Sequence, residues 1–171
     1  LPWVKRQPAT HILLTWGNHD YCGHLYPSGV TVLGGLDEKL VVDDSVTIRG
    51  VKFWLTPWSN QFMDWAWMKP HEELAEVYAK IPDDVDVLVS HQPPYGFGDL
   101  YPDPPGSGNL AHIASSELLH VIEQKKPQIV ICGHLHGGYG QYQHGNTSIY
   151  NVAVLDERYI LTNPATEINI G

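Results

Sequence analysis

The sequence predicts an α/β fold in which sheets pack together and helices lie on the outside. Three short apolar runs, at 10–16, 86–90 and 128–132, each lead into a polar loop and predict buried strands. Stretches of helical character alternate with strands through the middle of the chain, and both ends are rich in strand-forming residues. This alternation is typical of helices packed on sheets, and 171 residues fit one domain, 1–171.

Strands dominate the predicted first half of the chain. Beyond the first buried strand, two β-rich segments at 40–48 and 51–56 are separated by an Arg-Gly pair and predict a hairpin. An aromatic-rich stretch follows at 57–68.

Two helices are predicted in the second half. Pro70 opens the first, at 71–80, because proline is favoured in the first helical turn and acidic residues follow it. Ser115 or Ser116 caps the second helix, which ends before Pro127.

A Pro- and Gly-rich loop at 92–110 lies between the strand at 86–90 and the second helix. Ordered loops of this length are uncommon in compact domains and are often functional. The chain is predicted to close with strands at 147–154 and 158–162.

Charge and hydropathy exclude several classes of function. The formal net charge is −9 with only 10 Lys and Arg, so no basic face is available for tight, non-specific nucleic-acid binding. No apolar stretch approaches the ~20 residues that a membrane-spanning helix needs. The two cysteines, Cys22 and Cys132, are far apart, and a buried thiol is the simpler interpretation of Cys132. No disulfide framework is expected, which favours a reducing, cytoplasmic setting.

Three polar loops directly follow predicted buried strands, at 17–20, 90–94 and 133–137. Catalytic groups are commonly carried on such loops, because a rigid sheet holds them. In the third loop, His134 and His136 project to the same side of an extended backbone, about 6.6 Å apart at ~3.3 Å per residue. Two imidazoles so arranged suit two neighbouring metal ions. The alternative is a pair of solvated loop histidines.

The first loop sets an amide, an imidazole and a carboxylate side by side, at Asn18, His19 and Asp20. The Asn oxygen is a hard donor for a divalent ion, and His19 could act as a general acid or stabilise charge near neutral pH. Asp20 could hold that imidazole by accepting its other N–H. An ordinary Asn/Asp turn is the alternative. A single histidine at a strand end is usually structural or on the surface. His91 is a candidate site residue because it is the third polar group in such a position.

Together these loops resemble the motif set of the calcineurin-like metallophosphoesterases, in the same order: Gly-Asn-His-Asp at 17–20, a strand-ending His91, and Gly-His-x-His at 133–136. Three further segments are similar to the metallophosphoesterase-domain proteins and the class III cyclic-nucleotide phosphodiesterases: PW at 57–58, SHQPPYGFGDL at 90–100 and GGYG at 137–140. The likeness extends over nearly the whole chain from residue 17 onward.

The resemblance implies a fold and a pair of cofactors. The family fold is a two-sheet β-sandwich flanked by helices, in four αββα layers, and this chain is expected to lack its first strands. Two divalent ions (Mn, Fe or Zn) are expected as cofactors. Such a pair neutralises phosphate charge, lowers the pKa of a bridging water and clamps the attacking and leaving oxygens.

The resemblance also implies roles for individual residues. Asn18, His91 and His134 would bind one metal ion, and His136 would bind the other. His19 would contact the phosphate and assist the leaving oxygen, with the neighbouring carboxylate orienting its imidazole.

These ligands are too few for two metal ions, because hard divalent ions also take carboxylates. The family supplies them from an Asp-x-His and a Gly-Asp motif on earlier strands, and neither precedes Gly17 here. Gly98-Asp99 has the right residue types in the wrong place, inside the Pro-rich loop. We therefore expect further residues upstream of Leu1, and the chain as written is expected to bind at most one metal ion well.

Trp58 is the candidate substrate-binding residue, because it directly follows a strand and could stack on a nucleotide base. For most other aromatic residues of 57–68, packing in the core or a lid is the simpler interpretation. His71 and His112 are predicted to be ordinary surface or capping residues.

The leading hypothesis is a metal-dependent hydrolase of small phosphate mono- or diesters, nucleotides among them. Its expected partner is the small phosphate-ester substrate, with no strong nucleic-acid or membrane binding. A non-catalytic binding or scaffold module on the same fold, with an incomplete metal site, is the alternative. A nuclease of the same superfamily is disfavoured by the acidic net charge.

Overall fold

The structure, a computed structural model, describes residues 6–25, 38–103 and 105–170. The strands in these ranges are β1 (Ile12–Leu14), β2 (Glu38–Leu40), β3 (Asp44–Ile48), β4 (Val51–Thr56), β5 (Ser59–Asn60), β6 (Met68–Lys69), β7 (Val87–Ser90), β8 (Leu100–Pro102), β9 (Leu110–His112), β10 (Ile129–Cys132), β11 (Gly140–His144) and β12 (Thr147–Asn151). The α-helices are α1 (Tyr21–Leu25), α2 (His71–Tyr78) and α3 (Ser116–Lys125). The predicted α/β class is confirmed.

A six-stranded mixed sheet forms the centre of the fold, in the order β11-β12-β10-β7-β4-β3. Its four inner strands, β12, β10, β7 and β4, are parallel, and each edge strand pairs antiparallel with its neighbour. β3 and β4 form the predicted hairpin, and Arg49 and Gly50 turn it with φ of 50° and 86°. Both residues at positive φ give a turn whose twist matches the paired strands.

Both longer helices bury one face against this sheet. Leu74, Val77 and Tyr78 of α2 and Leu118, Val121 and Ile122 of α3 are buried with sheet residues in one apolar cluster. Each parallel strand contributes to this cluster, and the sheet residues in it include Trp54, Leu88, Val130 and Ile149. Because strand residues alternate between faces, these four positions define the face that the helices cover.

The second helix begins with a side-chain cap. Ser115 is the N-cap, and its Oγ accepts a hydrogen bond from the Leu118 N–H at 3.1 Å. Lys126 ends the helix in the left-handed conformation at φ 53°, and Pro127 follows. Of the two predicted serines, Ser115 is therefore the cap.

Two parts of the chain differ from the prediction. Residues 158–162 do not form the predicted strand, because the Asp156 carboxylate accepts from the N–H groups of Arg158 and Ile160 and folds them into a turn. The Pro-rich loop carries the antiparallel pair of β8 and β9, which sequence analysis did not predict.

The second large sheet of the expected sandwich is not formed by the residues that the structure describes. Their remaining strands pair two by two, as β1 with β2, β5 with β6 and β8 with β9.

In the described part of the chain, the longest helix has ten residues, and none is both long and apolar enough to cross a membrane. Cys132 is a free buried thiol, as predicted, and burial raises the pKa of that thiol. The side chain of Cys22 lies outside the described residues, and the cytoplasmic setting stays a prediction.

The parallel strands determine where the polar loops meet. β4, β7, β10 and β12 run in the same direction, so their carboxyl ends at Thr56, Ser90, Cys132 and Asn151 share one edge of the sheet. Two of the three loops singled out in the sequence leave the sheet at this edge. Ligands commonly bind there in sheets with parallel strands.

Candidate functional site

Side chains from all three loops converge at this edge. Asn18 Oδ1 lies 2.7 Å from His91 Nε2 and 3.2 Å from His134 Nδ1. The two imidazole rings are tilted against each other with their centroids 4.7 Å apart. The structure thus brings together the three residues that the resemblance assigns to one metal ion, and we refer to them as the ligand cluster.

The orientation of Asn18 suits a metal ligand. The residue is 2% exposed, and its Nδ2 is buried without a hydrogen-bond partner in the described structure, while its Oδ1 faces the two imidazole nitrogens. The Asn18 N–H donates to His91 Nε2 at 3.3 Å, so that nitrogen carries a lone pair. Two lone pairs that face each other repel unless a cation lies nearby, so the donor set of the ligand cluster fits a divalent ion.

Both histidines of the ligand cluster are neutral at physiological pH. Burial, together with the neighbouring imidazole of His134, lowers the pKa of His91 to about 3. Burial and the imidazole of His136 likewise lower the pKa of His134 to about 4. Neutral imidazole is the form that binds metal ions, so these residues need not lose a proton to do so at pH 7.

The backbone of the loops is shaped around this cluster. A Cβ at Gly17 would lie 2.5 Å from the His91 ring, so only glycine admits the histidine there. His134 has a left-handed backbone with φ of 65°. Non-glycine residues rarely adopt this conformation, and such residues concentrate at functional sites.

Asp20 supports the first loop. Its Oδ2 accepts a hydrogen bond from the Gly17 N–H at 2.7 Å, which closes the turn that carries Asn18 and His19. The predicted role of Asp20 in orienting the His19 imidazole stays a prediction, because the bond that the structure gives this carboxylate goes to the backbone. His19 itself is exposed and faces the cleft described below.

His136 lies in the same cleft but outside the ligand cluster. Its Nδ1 is 2.8 Å from the backbone oxygen of Asp156 and donates to it, which leaves the Nε2 lone pair available. Metal-binding histidines are commonly oriented by such a bond. Within residues 6–25, 38–103 and 105–170, no three His, Cys, Asp or Glu side chains are grouped as a metal site, and the number of bound ions stays a prediction.

A cleft of about 940 Å³ opens over the ligand cluster, and His19 and His136 also line it. Neither Lys nor Arg is among its lining residues in the described structure. These lining residues thus offer an anionic ligand no lysine or arginine, and histidines are the basic side chains among them.

Trp58, the predicted substrate-binding residue, is not among the residues that line this cleft in the described structure. Its Nε1 donates to Asp43 Oδ2 at 2.6 Å, and its ring packs 5.1 Å from that of Trp67 under the Lys69 ammonium. Phe62 and Trp65, from the same aromatic stretch, line the cleft instead. The strand pair of β5 and β6 turns this stretch, so positions a few residues beyond the strand end face the site.

A pair in the cleft wall, the buried Asp99 with the exposed His112, was not predicted from the sequence. Asp99, 1% exposed, accepts from His112 Nδ1 at 2.6 Å and from the N–H groups of Gly96 and Ala114 at 3.1 and 3.2 Å. Gly98-Asp99 is thus a clamp inside the long loop and not a displaced metal motif, as the sequence indicated. His112, predicted as an ordinary surface residue, lines the cleft.

A protein-family model matches most of this sequence. The model of the calcineurin-like phosphoesterases matches residues 1–138, which include all three polar loops. The chain belongs to the calcineurin-like phosphoesterase family. At the level of the family, calcineurin-like phosphoesterases are metal-dependent hydrolases of phosphate esters that use divalent metal ions.

Relatives within the calcineurin-like family include metallophosphoesterase domain-containing protein 1 of Homo sapiens, 32% identical over 130 residues. That match covers 75% of this chain but 38% of the human protein. A UPF0046 protein of Caenorhabditis elegans is 30% identical over 138 residues, covering 79% of this chain and 33% of the worm protein. The chain therefore spans less than half the length of these relatives.

A solved crystal structure shares the fold. It superimposes with a TM-score of 0.57 over 82% of this chain and 56% of its own, at 18% sequence identity. The TM-score supports a common fold, and a sequence identity this low carries no argument about activity.

Proposed function

We propose that this protein hydrolyses phosphate mono- or diesters in the cleft above the ligand cluster, with nucleotides among the candidate substrates. The observation that carries the proposal is the convergence of His91 Nε2 and His134 Nδ1 on Asn18 Oδ1, each within hydrogen-bonding distance of that oxygen. Three neutral donors without a cationic partner are a poor arrangement for stability, since each loses hydration on burial. They are a good arrangement for binding a divalent ion.

Bound divalent ions would supply positive charge and an activated water to the phosphorus. The residues of the chain bind and orient the ester around that centre. In the reaction, the water oxygen forms a bond to phosphorus, the ester P–O bond breaks, and the departing oxygen takes a proton. His19 is the group proposed to give that proton, because it is exposed, lines the cleft and follows Asn18 directly.

The test is metal binding and phosphate release by the full protein loaded in turn with Mn²⁺, Zn²⁺ and Fe²⁺. Aryl phosphate mono- and diesters are the probes. His91→Ala and Asn18→Ala should each lower both metal affinity and turnover by at least about a hundredfold, more than loss of a supporting residue costs. His120→Ala is the matched control, because His120 is exposed on α3 and lies within hydrogen-bonding distance of Gln124.

A binding or scaffold module with a partial metal site is the second candidate. It is favoured by the lack of a carboxylate beside the ligand cluster in the described residues. Under this alternative the protein binds metal through Asn18 and His91 yet releases no phosphate from either class of ester. Turnover that falls with both variants and not with the control would exclude it.

A further inference from the structure

Three aromatic side chains from two separate segments lie around His19 in the cleft. The Trp65 ring is tilted at 41° with its centroid 5.0 Å from that of His19, and the Tyr159 ring stands edge-on at 6.2 Å. Phe62 packs against Trp65 at 5.8 Å, and all three aromatic residues line the cleft. We refer to Phe62, Trp65 and Tyr159 as the aromatic wall.

Tyr159 is held in this position by a dedicated turn. The Asp156 carboxylate accepts from the N–H groups of Arg158 and Ile160, and the Asp156 carbonyl accepts from the Tyr159 N–H at 2.9 Å. Within the turn, Tyr159 has φ of 60°, a conformation that L residues rarely adopt. The ring is also edge-on to His136 at 5.2 Å, so Tyr159 contacts two of the histidines of the site.

The aromatic wall is not part of the core. Tyr159 is 61% exposed and Phe62 48% exposed, whereas the core tryptophans Trp54 and Trp67 are 7% and 6% exposed. Aromatic faces left open in a cleft offer contact area to a ligand, and rings pack best on other rings. A purely structural role would instead bury these side chains.

We propose that the aromatic wall selects phosphate esters whose leaving group carries a planar aromatic ring, with Tyr159 as the specificity-determining residue. The inference rests on the proposed function, in which His19 protonates the leaving oxygen and therefore lies beside the leaving group. Because Trp65 and Tyr159 both contact the His19 ring, a leaving group at His19 also touches these two residues.

The experiment compares two esters that differ in one six-membered ring. The ring is aromatic and planar in benzyl phosphate and saturated in cyclohexylmethyl phosphate. Both release a primary alcohol, so intrinsic reactivity is closely matched. With metal-loaded full protein, we expect kcat/KM to favour the benzyl ester by about 2- to 10-fold, the range that ring–ring contacts give. Tyr159→Leu should bring this ratio close to one, while Tyr159→Phe should keep it.

Ile160→Ala is the matched control. Ile160 is the next residue in the same turn, is 51% exposed and does not line the cleft, so its loss should leave the ratio unchanged. Trp65→Leu tests the wall from the other segment and should also lower the ratio. An unchanged ratio in both Tyr159→Leu and Trp65→Leu, or equal use of the two esters by the unaltered protein, would overturn the proposal.

A binding measurement separates this inference from the proposed function. Benzylphosphonate and cyclohexylmethylphosphonate have no ester bond to break, and calorimetry gives their dissociation constants directly. If the protein releases no phosphate but binds benzylphosphonate more tightly in a Tyr159-dependent manner, hydrolysis fails and ring selection stands. If phosphate is released and the two phosphonates bind equally in the unaltered protein and in Tyr159→Leu, ring selection fails and hydrolysis stands.

Discussion

The ligand cluster and the aromatic wall line the same cleft, yet the chain holds them by different means. His91 directly follows one strand of the central sheet, and His134 lies two residues beyond the end of another. Asn18 is 2% exposed. Phe62 and Tyr159 lie on turns beyond the sheet and are 48% and 61% exposed. Buried strand ends allow little displacement, whereas exposed turns tolerate substitution. The comparison predicts that substitutions in the ligand cluster affect metal binding and hydrolysis, whereas substitutions on the turns affect the choice of substrate.

The largest expected effect is acid destabilisation of the ligand cluster in the metal-free protein. The folded-state pKa values of His91 and His134, about 3 and about 4, lie below the ordinary value of 6.5. Between pH 6.5 and 4 the unfolded chain therefore binds more protons than the folded one. The contribution of the two histidines to the free energy of unfolding is fully present above pH 6.5. The free energy of unfolding should therefore fall by several kcal/mol toward pH 4.

Urea unfolding at a series of pH values measures this slope. His91→Gln removes one of the titrating groups and should flatten the curve, whereas His120→Gln, on the far side of α3, should not. A curve equally steep in both variants would mean that other groups cause the acid sensitivity.

The second prediction concerns the close packing of the ligand cluster. In Gly17→Ala, the new Cβ meets the His91 ring at 2.5 Å and must push it away from Asn18. We expect metal affinity to fall by about 10- to 100-fold, as when a residue that orients a ligand is lost. Gly108→Ala is the control, because a Cβ there has no atom within 4 Å. Calorimetric titration with Mn²⁺ or Zn²⁺ measures the difference, and equal affinities would contradict it.

The third prediction concerns the Asp99 clamp inside the Pro-rich loop. Asp99→Ala leaves the N–H groups of Gly96 and Ala114 without their acceptor. We expect the free energy of unfolding to fall by about 1–3 kcal/mol, the cost of unsatisfied buried groups. Asp103→Ala, an exposed carboxylate of the same loop, is the comparison in urea unfolding. Similar stability of the two variants would show that the clamp contributes little.

The smallest effect is expected on the exposed turn itself. Leu161 is 72% exposed, so Leu161→Ala should change the free energy of unfolding by less than about 0.5 kcal/mol. A larger loss in thermal or urea unfolding would show that the turn is more firmly packed than its exposure indicates. The contrast between the ligand cluster and the turns would then weaken.

The sequence predicts the ligand cluster better than the aromatic wall for a physical reason. Apolar runs such as 86–90 and 128–132 mark buried strands by composition alone, and the residue after each strand must lie at the sheet edge. The Ser115 cap and the turn at Arg49-Gly50 are likewise local signals, and both are present in the structure.

Long-range side-chain contacts carry no such signal. Asp99 and His112 are 13 residues apart in a loop without periodicity, so their pairing could not be predicted. Trp58 and Trp65 have the same chemistry, and only the path of the chain between β5 and β6 decides which one faces the cleft. Tyr159 is missed because one carboxylate, that of Asp156, converts a β-rich segment into a turn. An Asp two to four residues before such a segment is the signal that could have indicated the turn.

Two glycines on different loops have a consequence for engineering. A Cβ at Gly138 would lie 1.8 Å from the Gly98 carbonyl oxygen, and Gly98 itself has φ of 66° with the Gly138 oxygen 2.8 Å from its own Cβ position. Any side chain at either position forces apart the Pro-rich loop and the loop that carries His134 and His136. Libraries that seek new substrates should leave these two codons untouched and randomise Gln61 and Phe62, which are exposed and line the cleft.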